Sequence, residues 1–330
     1  MKINDISYKK WWLFCLVLGS LFAMPKSGFA QDPEFTQFYA NPMYLNPAMA
    51  GTARCARFVM NYRNEWPGVS GVYNTYHASY DQHLDAISGG LGFSAMQDVA
   101  GAGGILKRTW LSGVYAYQTP ITRDFSISVG FKATYAQLSV DWSKLSFGDQ
   151  IDPKRGFIFQ TLENTNFSGS KGSLDLSTGF LGYSKRFFFG AAFDHLTQPQ
   201  EALLGGVSTM PLKITAHAGG VIPLEVAHDG TETTLSPNIL FMQQLNIQQI
   251  LLGVYFNKGP LTAGLWYRNS DAFIVLLGFQ QDMFKIGYSY DVTVSGLASA
   301  TAGSHEISVQ YIIPCKPKKK RFRTTSCPSF

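Results

Sequence analysis

From about residue 56 onward, apolar and polar residues alternate in segments of roughly ten residues separated by turn-forming chemistry. The cleanest segment is Phe125 to Tyr135, where Phe125, Ile127, Val129, Phe131, Ala133 and Tyr135 alternate with Ser126, Ser128, Gly130, Lys132 and Thr134. Successive side chains of a strand point to opposite faces, so this segment carries one greasy face and one polar face. Phe284, Ile286, Tyr288 and Tyr290 likewise alternate with Lys285, Gly287, Ser289 and Asp291. Near the end of the chain, Ile307, Val309, Tyr311 and Ile313 alternate with Glu306, Ser308, Gln310 and Ile312. Two stretches, Ile250 to Phe256 and Ala272 to Leu277, are apolar on both faces, a pattern shared with strands buried in soluble sheets.

The pattern predicts strands over 57–66, 72–82, 89–97, 108–119, 124–137, 173–184, 186–196, 213–222, 233–243, 248–257, 260–269, 271–280, 284–294 and 303–313. That is fourteen, an even number, as a closed antiparallel barrel with both ends of its chain on one side requires. The connections sort by parity. The odd ones are 67–71, 98–107, 138–172, 197–212, 244–247, 270 and 295–302, and they include the longest. Of the even ones, none is longer than 223–232. Short periplasmic turns opposite longer outer loops are the asymmetry of outer-membrane barrels. The expected fold is therefore all-β: a closed transmembrane barrel over 56–313 with periplasmic N- and C-termini. Lipid offers no partner to free N–H and C=O groups, so such strands cross a membrane only if the sheet closes on itself. Tyr76, Tyr80, Tyr115, Tyr117, Trp266, Tyr267, Tyr288 and Tyr290 lie near strand ends and are candidates for interfacial girdles.

The first thirty residues read as a leader. Lys2, Lys9 and Lys10 precede an apolar run from Trp11 to Ala23, Pro25 ends it, and Gly28-Phe29-Ala30 offers small residues at a cleavage site. Residues 1–30 carry four Lys and one Asp, so their removal lowers the net charge from +5 to +2. That balance excludes the basic surface of a nucleic-acid binder. Low charge (15%), high aromatic content (14%) and 32 Gly point to a β-rich protein, soluble or membrane-bound.

The segment 31–55 contains Asn41-Pro42 and Asn46-Pro47, which restrict the backbone locally. It reads either as a structured turn at the barrel mouth or as a docking or plug segment. In the second case Phe35, Phe38, Tyr39 and Tyr44, with Asn41, Pro42, Asn46 and Pro47, bind inside the barrel or to a partner. The tail 314–330 holds Lys316, Lys318, Lys319, Lys320, Arg321 and Arg323 and no acid. Such a run is a solvated face, or else it meets an acidic partner surface or lipid phosphates. Cys55 lies just before the first strand and Cys315 just after the last, so closure makes a bridge between them a seam staple; Cys315 with Cys327 is the rival pairing.

The six histidines are scattered, with no metal-ligand spacing. His305 and Glu306 are adjacent on a strand and so point to opposite faces, whereas His77 and Ser79 share a face, as any polar lumen allows. The sequence predicts no metal, no cofactor and no enzymatic activity.

Specific blocks carry a resemblance. Asp32-Pro33-Glu34-Phe35-Thr36-Gln37-Phe38, Asn41-Pro42 and Asn46-Pro47-Ala48-Met49-Ala50-Gly51 open it. Tyr62-Arg63-Asn64-Glu65-Trp66-Pro67-Gly68, Ser79-Tyr80-Asp81, Gly89-Gly90-Leu91-Gly92 and Asp98-Val99-Ala100-Gly101 continue it. Phe147-Gly148-Asp149-Gln150-Ile151-Asp152, His195-Leu196-Thr197-Gln198-Pro199, Leu235-Ser236-Pro237-Asn238 and Tyr288-Ser289-Tyr290-Asp291 follow in order. Gly303-Ser304-His305-Glu306-Ile307-Ser308 and Cys327-Pro328-Ser329-Phe330 close the series. Together they resemble the PorP/SprF-like membrane proteins of the type IX secretion system. The resemblance implies an outer-membrane barrel of a secretion and gliding machine. Its implied partners are outer-membrane lipid, periplasmic ring proteins and lipoproteins, or a large secreted adhesin. The main alternative is a channel or transporter for small solutes, and a third reading is a surface adhesin using loop 138–172.

Overall fold

The computed structural model describes residues 32–162, 169–203, 208–226, 232–269, 271–294, 296 and 301–315. The expected leader, Cys327 and the cations of the tail lie outside the described residues. Fourteen strands form the wall. They are β1 Arg57–Glu65, β2 Val72–Leu84, β3 Gly89–Gly101, β4 Leu106–Pro120, β5 Phe125–Val140, β6 Ser170–Ser184, β7 Phe187–Asp194, β8 Lys213–Gly220, β9 Glu232–Gln244, β10 Ile247–Lys258, β11 Leu261–Arg268, β12 Ala272–Gln281, β13 Phe284–Thr293 and β14 Ser304–Ile312. Each pairs antiparallel with its neighbour in sequence, and β1 pairs with β14 from Arg57↔Ile312 to Glu65↔Ser304. Every strand therefore has two neighbours and the sheet is closed. Ile222–Val226 carries the line of β8 onward along β9, with a bulge between Pro223 and Glu225.

The alternation read from the sequence is the inside–outside alternation of the wall. On β11, Leu265 is 61% exposed while the next residue, Trp266, is 2% exposed. On β5, Phe131 and Tyr135 face outward, while Ser126, Ser128, Gly130 and Thr134 are buried within. No helix among the described residues is long and apolar enough to cross a membrane, so crossing belongs to the strands. β4, β5 and β6 are longer than the alternation predicts: β5 reaches Val140 and β6 starts at Ser170. The hydrogen-bonded ladder runs on past the apolar band, through pairs such as Ser139↔Ser170. There, polar outward residues suffice.

One girdle assignment changes. Tyr76, Tyr117, Tyr267 and Tyr288 face outward, but Trp266 points into the lumen because its place in the alternation falls on the inner face. The two strand regions that are apolar on both faces also find their reason inside. Leu251 and Tyr255 of β10 and Ile274 and Leu276 of β12 are buried in one apolar cluster with Phe38, Tyr39, Leu45 and Met49 of the segment before β1.

Both ends of the barrel chain lie at the same rim as the short links 85–88, 121–124, 185–186, 259–260 and 282–283. Gly259 shows what these turns need, with φ +57°, where a side chain is disfavoured. The opposite rim carries 66–71, 102–105, 141–169, 195–212 and 294–303. At the first rim, Ile313 N–H donates to the Ala56 carbonyl at 2.9 Å, extending the β1–β14 ladder. Cys55 and Cys315 are disulfide-bonded just beyond, with Cα atoms 5.5 Å apart and 260 residues between them. Of the two pairings open in the sequence, this one staples the seam.

Closing so long a loop removes chain entropy from the unfolded state worth about 5 kcal/mol. C55A and C315A variants are expected to assemble the same barrel, since the seam ladder remains. They should unfold at lower temperature in detergent, by an amount that reduction of the parent protein reproduces. Peptide mapping without reductant should recover the Cys55–Cys315 pair.

Candidate functional site: the lumenal plug and its anchors

Residues 33–55 fold inside the barrel. Phe38–Ala40 forms a short 3-10 turn, Pro42–Leu45 a single α-helical turn and Pro47–Met49 a second 3-10 turn. The two Asn-Pro pairs account for the breaks: each proline opens a turn, where its missing N–H costs nothing. Asn46 does two jobs. Its Oδ1 accepts from the Ala48 N–H at 2.9 Å, capping the last turn. Its Nδ2 donates to the carbonyls of Phe180 at 3.0 Å and Ala191 at 3.3 Å, and lies 3.1 Å from His217 Nε2. One side chain thus ties the plug to β6, β7 and β8.

Two buried charge clusters hold the ends of the plug. At its start, Glu306 of β14 is fully buried. Its carboxylate accepts from Thr36 N–H at 2.6 Å, Thr36 Oγ1 at 2.9 Å and Gln37 N–H at 3.2 Å. Arg63 of β1 lies 3.5 Å from Glu306 and 3.1 Å from Asp291 of β13, and Arg268 of β11 lies 3.5 Å from Asp291. At the other end, Asp81 of β2 accepts from Arg57 Nε and Nη2, both at 2.8 Å, and from the Gly51 N–H at 2.7 Å. Gln118 Nε2 donates to Ala50 O, and Ser128 Oγ donates to Ala48 O, each at 2.7 Å.

Between these clusters the contact is apolar. Phe35 packs with Met96, Trp110 and Ala136 on one side of the lumen. Phe38 meets Trp266 edge-on at 5.2 Å, and Tyr39 meets Phe188 at 5.3 Å. Close approach needs glycine at two inner positions: a Cβ on Gly130 would overlap the Ala48 backbone, and one on Gly179 would overlap Asn46. By hydrogen bond, ring contact or shared apolar cluster, the plug reaches every strand of the wall. Burying an aromatic or aliphatic side chain is worth about 1.5–3 kcal/mol, and a hydrogen bond to a charged group a similar amount. There are six large apolar plug residues, Phe35, Phe38, Tyr39, Met43, Leu45 and Met49, in the core. Apolar burial therefore supplies most of the attraction, and the carboxylates set position.

At the far mouth, opposite the termini, the described parts of the 195–212 connection, 195–203 and 208–212, contact inner-face residues of β4 and β6. Glu201 pairs with Arg108 of β4 at 2.7 Å, and Lys171 Nζ donates to Ala202 O at 3.1 Å. Met210 is buried. Asp175 accepts from Thr197 at 2.8 Å and lies 2.7 Å from His195 Nδ1. Among the described residues no group of His, Cys, Asp and Glu is placed to hold a metal.

The sequence-derived candidates divide accordingly. Phe35, Phe38, Tyr39, Asn41, Pro42, Asn46 and Pro47 come together inside the barrel, all buried. Of the two readings of this segment, the plug describes its place, not a turn at the mouth. In this arrangement these side chains pack against the chain's own wall. Lys318, Lys319, Lys320, Arg321, Arg323 and Cys327 lie outside the described residues. Arg57 and Arg268 were not singled out from sequence, and Arg63, Asp81, Asp291 and Glu306 were named there without an anchoring role. Their signal was there: each is a full charge on the inner face of a strand, where a lumen filled only with water has no need of matched pairs.

Two variants separate attraction from positioning. E306A leaves Arg63 short of a partner and two plug N–H groups unsatisfied; loss of one member of a buried pair costs about 3–5 kcal/mol. A lower unfolding temperature in detergent is expected, and E306Q should recover part of it. G130V is expected to leave the barrel closed, while displacing the plug. Limited proteolysis should then cut within 33–55, and planar bilayers should show ion conductance that the parent lacks.

Comparison with known proteins follows the geometry. Among solved structures, the toluene transporter TbuX of Ralstonia pickettii is 11% identical, covering 82% of this chain and 93% of its own, with a TM-score of 0.46. A Pseudomonas aeruginosa FadL homologue is 13% identical, covering 87% and 100%, with a TM-score of 0.43. The KdgM porin is 11% identical, covering 78% and 99%, with a TM-score of 0.36. A comparison with curated proteins finds no match. The family model of the type IX secretion system membrane protein PorP/SprF matches residues 27–311. A closed membrane β-barrel whose matched span takes in both the plug and the wall, this chain belongs to the PorP/SprF family of type IX secretion system membrane proteins.

Proposed function

We propose that this chain is a non-enzymatic anchor of the type IX secretion and gliding apparatus in the outer membrane. Its leader is removed on export, and the rim bearing the termini and short turns faces the periplasm. There it holds ring subunits and lipoproteins of the machine, or supports the export and surface attachment of a large secreted adhesin. The observation that carries this reading is the plug. A lumen occupied by the chain's own residues, tied to every strand, offers a partner two rims and a wall. Pulling on such a barrel loads its whole hydrogen-bonded ladder, which lipid holds closed because opened strands would find no partners.

The outer rim has a surface suited to a secreted protein. In the 141–169 connection a small hairpin pairs Ile151–Asp152 with Gly156–Phe157. Asp152 accepts from the N–H groups of Lys154 and Arg155, both at 2.8 Å, which fixes the turn. The hairpin and its flank expose Ile151, Phe157, Ile158, Phe159 and Leu162, the last 95% exposed. Exposed apolar clusters of this kind mark protein contacts when they stand clear of lipid.

Pull-down of the tagged protein from outer membranes is the deciding experiment, with bilayer conductance beside it. Co-purifying periplasmic ring subunits or one large secreted protein, from a barrel that does not conduct, are the expected result. Phe157→Ser with Phe159→Ser should reduce capture of a secreted partner and leave ring subunits bound. Solute-selective pores from the parent protein, with secretion intact after deletion of its gene, would sink the proposal and favour a transporter.

A further inference from the structure

Past Gly220 the chain leaves the closed wall but not the sheet. Ile222–Val226 runs on from β8 and pairs with Leu235 to Glu232 of β9, with all five residues exposed. Its other side has no strand. β7 reaches only to Phe187↔Gly220, and Val221 N–H donates to the Arg186 carbonyl at 2.7 Å where that ladder ends. A strand with one neighbour bonds to it through alternate residues, and its remaining N–H and C=O groups point away. Among the described residues nothing meets them. A similar overhang on the opposite rim is covered. β6 runs past β7 beyond Thr178↔Phe193, and there the carbonyls of Leu174 and Leu176 accept from Thr197 Oγ1 at 3.3 Å and Leu196 N–H at 2.9 Å.

Val226↔Glu232 lies one residue past Thr233↔Lys258, where β10 turns back at Gly259 and Pro260. Hydrocarbon does not tolerate an open edge, so this one stands on the aqueous side of the rim that carries the ends of the barrel chain. An edge in water invites a further strand unless it is blunted. Pro223 offers no N–H, and the bulge between Pro223 and Glu225 bends the ladder, so the edge takes only a short segment. A second copy of this chain would bring a second proline and a second bulge to the same few bonds, which leaves a different chain as the partner. The surroundings of the edge set that partner's chemistry. Ile222, Leu224 and Val226 are 48%, 55% and 61% exposed and offer apolar contact. Lys185 and Arg186, both exposed, form the β6–β7 turn at the foot of the free side. A strand laid along the edge would continue the line of β7 and meet those two cations first.

We propose that Ile222–Val226 is a docking edge, where an extended segment of a periplasmic partner, apolar and carrying a carboxylate at its membrane-proximal end, adds as a further strand. The inference deepens the anchoring reading and rests on it for the compartment that this rim faces.

The test is hydrogen–deuterium exchange of the full-length protein, in native outer membranes and, after purification, in nanodiscs of phosphatidylethanolamine. The amides of 222–226 that turn away from β9 are expected to exchange rapidly in nanodiscs and at least about tenfold more slowly in native membranes. A photoreactive residue placed at Leu224 should crosslink, in cells, to one extended apolar segment with an acid at one end. Lys185→Glu with Arg186→Glu, at two exposed positions, should remove both the protection and the adduct, while the heat-dependent shift in electrophoretic mobility confirms a folded barrel. Rapid exchange in native membranes overturns the proposal. So does protection already complete in nanodiscs, protection unchanged by the charge reversal, or an adduct with a second copy of this chain. The anchoring role fails separately. A protected edge crosslinked to a chain outside the secretion machine keeps the docking edge and removes that role, whereas ring subunits bound beside an unprotected edge do the reverse.

Discussion

Pairing Arg57–Glu65 with Ser304–Ile312 brings together residues almost a whole chain length apart, and no other contact leaves the sheet without an edge. In water an open edge is tolerable. In hydrocarbon each unpaired N–H or C=O costs several kcal/mol, so the seam is the condition for the wall to exist in a membrane at all. The 260-residue separation makes the seam entropically expensive to form, which gives the Cys55–Cys315 bond its place just beyond it. Everything inside then depends on that closure. Arg63 and Glu306 sit on the two seam strands, and only their adjacency brings both to Thr36.

The interior is built like a protein core on one side and like a polar network on the other. β9 to β12 turn Leu240, Leu251, Trp266 and Ile274 inward against Phe38 and Tyr39. β13, β14, β1 and β2 turn Asp291, Glu306, Arg63 and Asp81 inward, all nearly inaccessible. Apolar contact alone would let the plug slide, because burial has no direction. The carboxylates accept from particular N–H groups, at Thr36, Gln37 and Gly51, and so specify which residue lies at which height. Matched arginines keep those carboxylates tolerable at full burial.

Outside, the same strands face two media. Leu261, Leu265, Leu277 and Ile286 are exposed on the apolar outer face, with Tyr288 level with Leu277 and Tyr267 close to the end of β11. β5 and β6 stay paired as far as Ser139↔Ser170, where the 141–169 connection begins. The two rims thus differ in kind. One has both ends of the barrel chain and, apart from 221–231, tight turns; the other has the tight turns 245–246 and 269–271 beside long connections, one of which ties Glu201 to Arg108 and Ala202 to Lys171.

Strand number, the core of each strand and the placing of the longest connections were legible in the sequence, because alternation with a period of two is a local property of each segment. Tyr135 and Ile286 were placed correctly on that ground alone. Where the local pattern was ambiguous, at Ile250 to Phe256 and Ala272 to Leu277, the reason was a distant partner: the inner face is apolar because Phe38, Tyr39 and Leu45 cover it. Trp266 was misassigned to a girdle for the same cause. The Asn-Pro pairs announced a constrained segment, yet whether it lay at the mouth or within the lumen depended on Gly130, Gly179, Asp81 and Glu306. Those residues lie tens to hundreds of positions away and meet the plug only when the sheet has closed. Sequence alone determines which face of each strand prefers lipid, since that preference belongs to the side chain. What fills the enclosed space is decided by tertiary structure, because complementarity exists only between surfaces already brought together.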